Sequence, residues 1–211
     1  MSSFFTAELL LNKMLFMDYK TLTDFCSTNT AFSIACQDDY FWKMKVERDF
    51  GMVTQYKPNN ITYRQQYKEL MNATDPDKAA GDGRMDLLIN FARKDLHPMK
   101  GGANLAAENG HLDVLKWLVE TFRVYPDIDG ALKAAEKGRL DVLQWMAGIE
   151  DGYIDEEVVN MAAEYGHLDI VKWIASSKGL YPDEEGIMRA AASGHVELIN
   201  WVDSMIGFPI F

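Results

Sequence analysis

The chain is poor in cysteine and proline and contains no long hydrophobic run. Its 211 residues include two cysteines and six prolines. Two cysteines are too few for a disulfide scaffold or a four-thiolate metal site, and they suit buried thiols in a reducing compartment. The longest apolar stretch, residues 4–17, is broken by Glu8 and Lys13, whereas a membrane span needs roughly 18 apolar residues. It also lacks the basic start of an export signal. We therefore expect an intracellular, cytoplasmic protein that does not bind membranes.

Motifs of catalysis and cofactor binding are also missing. The Gly-Asp-Gly at residues 81–83 belongs to a turn of the repeat described below, so it is no phosphate-binding loop. The sequence has neither a nucleophile elbow nor a His-x-Glu metal pattern. We therefore expect no enzyme activity, no catalytic residues and no cofactor.

Negative charge is concentrated in the second part of the chain. Residues 1–76 have a net charge of −1, whereas residues 77–211 have a net charge of −10. Such an acidic surface repels the phosphate backbone of nucleic acids. The expected partner is therefore a basic protein and not a nucleic acid.

A 12-residue string occurs four times in this acidic part. It begins at Ala106 as AAENGHLDVLKW and returns at Ala134, Ala162 and Ala190, each 28 residues after the last. A fainter copy at residues 79–91 precedes the first at a spacing of 27. Fixed spacing without insertions is typical of repeat architectures, in which end repeats are often atypical.

Each repeat is predicted to be a pair of helices. After Gly110, the apolar residues Leu112, Leu115 and Leu118 recur with helical periodicity. Gly110 itself can adopt the left-handed conformation that ends the preceding helix. One hairpin cannot bury its own apolar face, so about five hairpins are expected to stack side by side. The tryptophan of each repeat is expected in the layers of the stack, where its truncation to alanine would cost roughly 3–5 kcal/mol.

The connectors between hairpins carry a second ladder, of tyrosines and acids. The aspartates are expected to cap the helices that follow, and the next acids fall in the positive first helical turn. A solvated capping edge and a site that attracts a basic target are both compatible with this pattern. The candidate target-binding residues are Tyr125, Asp127, Asp129, Tyr153, Asp155, Glu156, Tyr181, Asp183 and Glu184.

Three of the four histidines, His111, His167 and His195, share one repeat position. Adjacent repeats lie about 8–10 Å apart, whereas a histidine ligand lies roughly 2.0–2.1 Å from zinc, so one ion cannot bridge these side chains. Arg139 takes the histidine's place in one repeat. We therefore expect no metal site and assign these residues to hydrogen bonds that stabilise the turns.

The string Leu-Ala-Ala-Glu-Asn-Gly-His-Leu at residues 105–112, followed by Asp-Val-Leu-Lys, closely resembles the ankyrin repeat. The resemblance covers residues 73–206 and implies a solenoid of helical hairpins that binds proteins. The unit is shorter than the family's roughly 33 residues, and Gly-Gly-Ala-Asn at residues 101–104 replaces the family's Thr-Pro-Leu-His. Short repeats with a Tyr-Pro-Asp connector are similar to those of large DNA viruses that infect amoebae. Such a protein would act in the host cytoplasm.

The first 72 residues lack the 28-residue register and are predicted to form a separate helical unit. The spacing of apolar residues predicts helices around residues 5–14, 22–26 and 63–71. Asp38 and Asp39 are placed to cap a further helix that contains Trp42. We therefore expect three or four short helices.

Residues 5–50 resemble an F-box. That family's pattern is matched in order by Glu-Leu-Leu at residues 8–10, Met-Asp-x-x-x-Leu at 17–22, Phe-Cys at 25–26 and Asp-Asp-Tyr-Phe-Trp at 38–42. Phe5-Thr6 replaces the family's opening Leu-Pro. The resemblance implies that this unit binds the adaptor subunit of a cullin–RING ubiquitin ligase, although the same apolar residues would also suit the core of a capping bundle. The candidate adaptor-binding residues are Phe5, Leu9, Leu10, Met14, Leu22, Phe25, Cys26 and Trp42.

The expected architecture is all-α, with an F-box-like domain at residues 1–72 and an ankyrin-like repeat domain at residues 73–211. The two resemblances imply a substrate receptor that recruits a target protein to a ubiquitin ligase. The alternative function is a non-catalytic viral scaffold or virion component that uses the repeats for binding.

Overall fold

A computed structural model describes residues 11–28, 30–149 and 153–207. Within these ranges the chain contains no strand, which confirms the predicted all-α class, and no helix is long and apolar enough to cross a membrane. Residues 11–15 are helical. The helices that follow are α1 (Tyr19–Thr28), α2 (Thr30–Gln37), α3 (Asp39–Phe50), a 3₁₀ helix (Met52–Tyr56), α4 (Tyr63–Asn72), α5 (Pro76–Gly81), α6 (Met85–Ala92), α7 (Lys100–Asn109), α8 (Leu112–Phe122), α9 (Ile128–Glu136), α10 (Leu140–Ala147), α11 (Glu156–Glu164), α12 (Leu168–Lys178), α13 (Glu184–Ala192) and α14 (Val196–Ile206).

The chain divides into two compact units. The N-terminal unit contains Met1–Thr74 and Arg84–Asp95, and the repeat unit contains Asp75–Gly83 and Leu96–Phe211. The boundary predicted after residue 72 lies close to the first division. Residues 84–95, which the 28-residue register assigned to the repeat domain, belong to the N-terminal unit because α6 packs on the 3₁₀ helix and on α4.

Helix α3 supplies much of the core of the N-terminal unit. Asp38 caps this helix by accepting a hydrogen bond from the backbone N–H of Tyr40 at 2.9 Å, as predicted. The indole of Trp42 donates to the carbonyl oxygen of Cys36 at 2.8 Å and lies 5.5 Å from the ring of Tyr67 on α4. The core therefore joins α2, α3 and α4 through one buried aromatic cluster.

A disulfide joins Cys26 on α1 to Cys36 on α2. The expectation of two buried thiols is therefore wrong, although Cys36 itself is buried. Helices α1 and α2 pack against each other, and the two Cα atoms lie 6.1 Å apart. This separation falls within the usual range for disulfides.

The repeat unit is a row of helical hairpins. Hairpin 1 is α7–α8, hairpin 2 is α9–α10, hairpin 3 is α11–α12 and hairpin 4 is α13–α14. The first helix of each hairpin packs on the first helix of the next, and α5 packs on α7 in the same way. Gly110, Gly138, Gly166 and Gly194 all have positive φ angles, which confirms the predicted turn conformation.

The core of the row differs from the prediction. It consists of small and branched side chains such as Ala106, Val114 and Leu118, whereas the tryptophans at positions 117, 145, 173 and 201 are only half-buried. Trp117 lies beside the buried face of α8, where its ring packs edge-on against Phe122 with the centroids 5.3 Å apart. The indoles therefore cover the edge of the row and do not form its layers.

Candidate functional site

The predicted adaptor-binding residues do not form one accessible surface. Phe5, Leu9 and Leu10 lie outside the described residues. The side chains of Met14, Leu22 and Trp42 are at most 1% exposed and belong to the core of the N-terminal unit. Phe25 and Cys26 are half-buried, and Cys26 is in the disulfide. A partner cannot reach the buried members of this set, and their role is to pack in the core of the bundle.

The exposed apolar side chains of the N-terminal unit were missed by the sequence interpretation. Phe16 is 72% exposed, Ile34 on α2 is 74% exposed and Tyr40 at the start of α3 is 64% exposed. All three lie within the F-box-like residues 5–50, and Tyr40 belongs to the matched segment 38–42. Phe16 lies in a turn, where helical periodicity does not apply, and Ile34 lies on the short helix α2.

Phe16 borders an open depression of about 550 Å³. At its floor, the buried Lys45 ammonium donates to the carbonyl oxygen of Leu15 at 2.9 Å and to Asp49 at 2.6 Å. The hydroxyl of Tyr67 also donates to Asp49, at 2.7 Å. Burial, followed by this bond to a carboxylate, raises the pKa of Tyr67 above its usual value. The polar groups of the floor thus bond to one another.

The predicted capping role of the connector aspartates is confirmed. Asp127, Asp155 and Asp183 accept hydrogen bonds from backbone N–H groups of Asp129, Val158 and Gly186 at 3.1, 3.1 and 2.8 Å. The bond from Gly186 lowers the pKa of Asp183. Burial alone would raise the pKa of Asp127, but bonds from Asn104 and Lys100 outweigh it and lower this pKa as well.

The other target-binding candidates lie around these caps. Asp129, Glu156 and Glu184 are exposed in the first turns of α9, α11 and α13. Tyr125, Tyr153 and Tyr181 are half-buried, and the ring of Tyr181 stacks on Trp201 with the centroids 6.3 Å apart. The acids are therefore available to a partner, whereas the tyrosines are partly used in packing.

Basic side chains from the first helices neutralise part of this acidic edge. Arg189 contacts Glu157, Glu164 and Glu185 at 3.2, 3.5 and 2.6 Å, and its bonds to Glu185 and Glu157 raise the pKa of its guanidinium. Lys133 lies 3.5 Å from Glu108 of the preceding hairpin. Apart from the pair of Arg189 with Glu185, which lies within α13, these ion pairs join residues of different hairpins, and the sequence interpretation missed them.

A row of polar acceptors opposite glycines was also missed. The side-chain oxygens of Asn104 and Asn160 accept the backbone N–H groups of Asp127 and Asp183 in the next hairpin, both at 3.0 Å. Asp77 accepts the N–H of Met99 in the same way, at 2.6 Å. Each acceptor needs a glycine opposite it.

At Gly130, an added Cβ would lie 2.7 Å from the Asn104 oxygen. The Cβ of a residue at Gly186 would overlap Asn160, and one at Gly102 would lie 2.6 Å from Asp77. Between hairpins 2 and 3 the equivalent positions are Leu132 and Val158. A polar acceptor therefore faces a glycine at three interfaces, whereas the repeat register assigns two apolar residues to these positions at this one.

The residues after the turn glycines bridge neighbouring hairpins. Arg139 Nε donates to the carbonyl oxygen of Glu108 at 3.2 Å, and His167 Nε2 donates to that of Glu136 at 2.9 Å. These bonds confirm the predicted role at two positions. Among the described residues, no group of three or more histidine, cysteine or acidic side chains is arranged to hold a metal ion.

Comparisons with known proteins identify no relative: no family model matches the chain, and no curated protein matches it. The two surfaces themselves offer exposed apolar side chains on one unit and exposed carboxylates on the other. These are the groups that protein interfaces use for burial and for charge complementarity.

Proposed function

We propose that the chain is a non-catalytic adaptor that recruits a basic target protein to a cullin–RING ubiquitin ligase. The N-terminal unit would bind the ligase adaptor subunit, and the repeat unit would bind the target. The observation that carries the proposal is the junction of two helical units of different kinds, one with the ordered F-box-like pattern and one with a regular row of hairpins.

The N-terminal part of the proposal is supported by the exposure of Phe16, Ile34 and Tyr40. Large apolar side chains on the surface of a small helical unit favour burial against a partner, and aromatic residues often dominate such interfaces. The proposed adaptor surface therefore includes these three side chains; the candidates Phe5, Leu9 and Leu10 lie outside the described residues.

The target-binding part is supported by the exposed acids in the first turns of α9, α11 and α13. Asp129, Glu156 and Glu184 are exposed on successive hairpins, and the repeat half of the sequence has a large negative excess. Rim charges of this kind accelerate association with a basic partner and make it depend on salt.

The adaptor surface is tested with the tagged full chain in cells. A Phe16→Asp/Ile34→Asp variant should lose co-purification of the ligase adaptor, because both substitutions place charge on exposed apolar positions and leave the core unchanged. Met99→Asp, at a methionine that is 68% exposed in the repeat unit, is the matched control and should retain the adaptor. Equal recovery of the adaptor with the double variant, or no recovery with the unchanged chain, contradicts the proposal.

The scaffold function is the second candidate, and the burial of Met14, Leu22 and Trp42 favours it. Three residues of the F-box-like pattern act in the core, so the pattern would also persist in a unit that binds no adaptor. A chain that retains its target without any ligase subunit in the pull-down would support the scaffold.

A further inference from the structure

The last hairpin has an end face that no other described part of the chain covers, and we define it by Met188, Ala192, Gly194 and Val196. In the preceding repeats a side chain of the next hairpin covers the turn glycine: a Cβ at Gly138 would lie 2.6 Å from the ring of His167, and one at Gly110 would lie 2.9 Å from Arg139. At Gly194, by contrast, no described atom lies within 4 Å of the Cβ position.

Residues of the last hairpin are also more exposed than the residues at equivalent positions in the earlier hairpins. Asn104 and Asn160 are buried by the next hairpin, whereas Met188, at the equivalent position, is 59% exposed. Leu112, Leu140 and Leu168 are half-buried, whereas Val196 is 62% exposed. Terminal repeats of a solenoid normally carry a polar outer face. The end face instead exposes two large apolar side chains, Met188 and Val196, at positions that the next hairpin covers elsewhere in the row.

The alternation between interfaces defines which hairpin would fit. Asn160 of hairpin 3 faces Gly186 of hairpin 4. For Leu132 of hairpin 2, the residue at the position equivalent to this glycine is Val158 of hairpin 3. Met188 is apolar like Leu132. The matching hairpin therefore has a branched apolar residue where hairpin 3 has Val158.

The internal interfaces also define the polar contact of that hairpin. Arg139 and His167 each bond to a carbonyl oxygen 31 residues earlier in the chain, in the preceding hairpin. At the end face the equivalent acceptor is the carbonyl oxygen of Ala192. A histidine or arginine at the start of the incoming second helix would bond there and cover Gly194.

The geometry points to the end face as a docking surface for a helical hairpin that a partner protein presents, with a branched apolar residue in its first helix and a histidine or arginine at the start of its second. The argument for this occupant is continuity, because a hairpin covers the equivalent face at each internal interface of the row, and hairpin 3, which covers hairpin 2, has both of these features. A second copy of the chain is disfavoured, since its hairpin 3 is already covered by its own hairpin 2 and both copies are strongly acidic. The inference goes beyond the proposed ligase function and does not depend on adaptor binding.

The experiment uses the full chain with a hairpin tethered after Phe211. The probe is a copy of residues 153–179 on a flexible linker of about 15 residues, which spans roughly 20 Å and keeps the local concentration high. Hydrogen exchange of residues 184–206 is measured with and without the probe. We expect exchange to slow at least about tenfold, because stacking suppresses local opening of α13 and α14.

Matched variants locate the effect. A Met188→Lys/Val196→Lys double variant should abolish the slowing, and Val196→Lys alone provides a milder test. Met99→Lys should leave the slowing intact, because Met99 precedes hairpin 1 and is not part of the end face. A copy of residues 181–207, with Gly186 in place of Val158, should slow exchange less than the copy of hairpin 3.

Several results would overturn the docking surface. One is unchanged exchange in the presence of the probe, and another is equal slowing in the Met188→Lys/Val196→Lys variant. A concentration-dependent dimer that this double variant disrupts would assign the face to a second copy. If the probe slows exchange only after deletion of residues 208–211, the end face would be assigned to that C-terminal segment of the chain. Loss of ligase binding, in contrast, would contradict only the proposed function.

Discussion

At the scale of single residues, the repeat unit depends on pairs that match across hairpin interfaces. Asn160 bonds to the backbone of hairpin 4 and occupies the space that a side chain at Gly186 would need. Leu132 and Val158 are the apolar version of the same pair. Neither member can change independently, because the interior leaves no spare volume for an added side chain.

A Gly186→Val substitution should therefore destabilise the repeat unit by about 1–3 kcal/mol, as overpacking usually does. The double variant Asn160→Leu/Gly186→Val recreates the apolar pair and should recover at least about 0.5 kcal/mol of that loss, a coupling typical of residues in contact. Urea unfolding followed by circular dichroism measures both.

Gly148→Ala is the control for adding a methyl group at a glycine. Gly148 has a φ of −83° and its Cβ position meets only backbone atoms at 3.4 Å or more, so its substitution should change the free energy of unfolding by less than about 0.5 kcal/mol. Strictly additive single-variant effects at positions 160 and 186 would contradict the pairing.

At the scale of helices, the N-caps connect the stability of the repeat unit to pH. The pKa values of Asp127 and Asp183 lie below the usual carboxyl value. Their stabilising contribution is therefore complete above the unfolded pKa of about 3.9 and is lost as the pH falls through the lower folded pKa.

Replacement of both aspartates by asparagine should make the repeat unit less sensitive to acid. An asparagine side chain still accepts the capping hydrogen bonds but does not titrate. The loss of unfolding free energy between pH 6 and pH 3, measured by urea titration, should be smaller for Asp127→Asn/Asp183→Asn than for the unchanged chain. Asp141→Asn, on the exposed side of α10, is the control for the removal of one negative charge. If this control reduces the loss of unfolding free energy between pH 6 and pH 3 as much as the double variant does, the caps are not the cause.

The half-burial of the indoles also changes the expected cost of their removal. Leu143 is fully buried, so Leu143→Ala should cost about 2–5 kcal/mol. Trp145, two residues further along α10, is only half-buried, so its truncation should cost about half of the 3–5 kcal/mol of a core tryptophan. Urea unfolding measures both variants. A larger loss of stability for Trp145→Ala than for Leu143→Ala would mean that the indoles form the core between hairpins.

Local features of the helices could be predicted from the sequence, and contacts between them could not. Periodicity, the turn glycine Gly110 and the capping Asp183 act within a few residues, so their signals are local. The bond between Asn104 and Asp127 joins residues 23 positions apart, and it is invisible in either helix alone. The ring of Trp201 likewise stacks on Tyr181, which lies 20 residues earlier in the connector, and two of the three partners of Arg189 lie in the preceding hairpin.

At the scale of the whole molecule, the chain combines two units stabilised by different means. The repeat unit relies on contacts between successive hairpins, whereas the N-terminal unit has one aromatic core and the Cys26–Cys36 disulfide. The assignment of α6 to the N-terminal unit could not be predicted, because residues 79–91 match the repeat in sequence while α6 packs elsewhere.

Removal of the disulfide should destabilise the N-terminal unit only. A loop closed across a separation of 10 residues corresponds to about 3 kcal/mol in the chain-entropy estimate. Hydrogen exchange in α3 should accelerate in a Cys26→Ser/Cys36→Ser variant, while exchange in α11 stays the same. If reduction of the unchanged chain leaves exchange in α3 unaffected, the disulfide contributes nothing to this unit.

The matched pairs also limit how such a gene can grow or shrink by recombination. Loss of hairpin 2 alone would bring Val158 against Asn104, and loss of hairpin 3 alone would leave Gly186 beneath Leu132 with an unfilled space. Loss of both together would set Asn104 opposite Gly186, which is the pairing already present elsewhere in the row. Viable deletions that involve hairpin 2 or hairpin 3 should therefore remove both units together, a block of 56 codons, whereas loss of hairpin 1 alone would keep a polar acceptor, Asp77, opposite a glycine, Gly130.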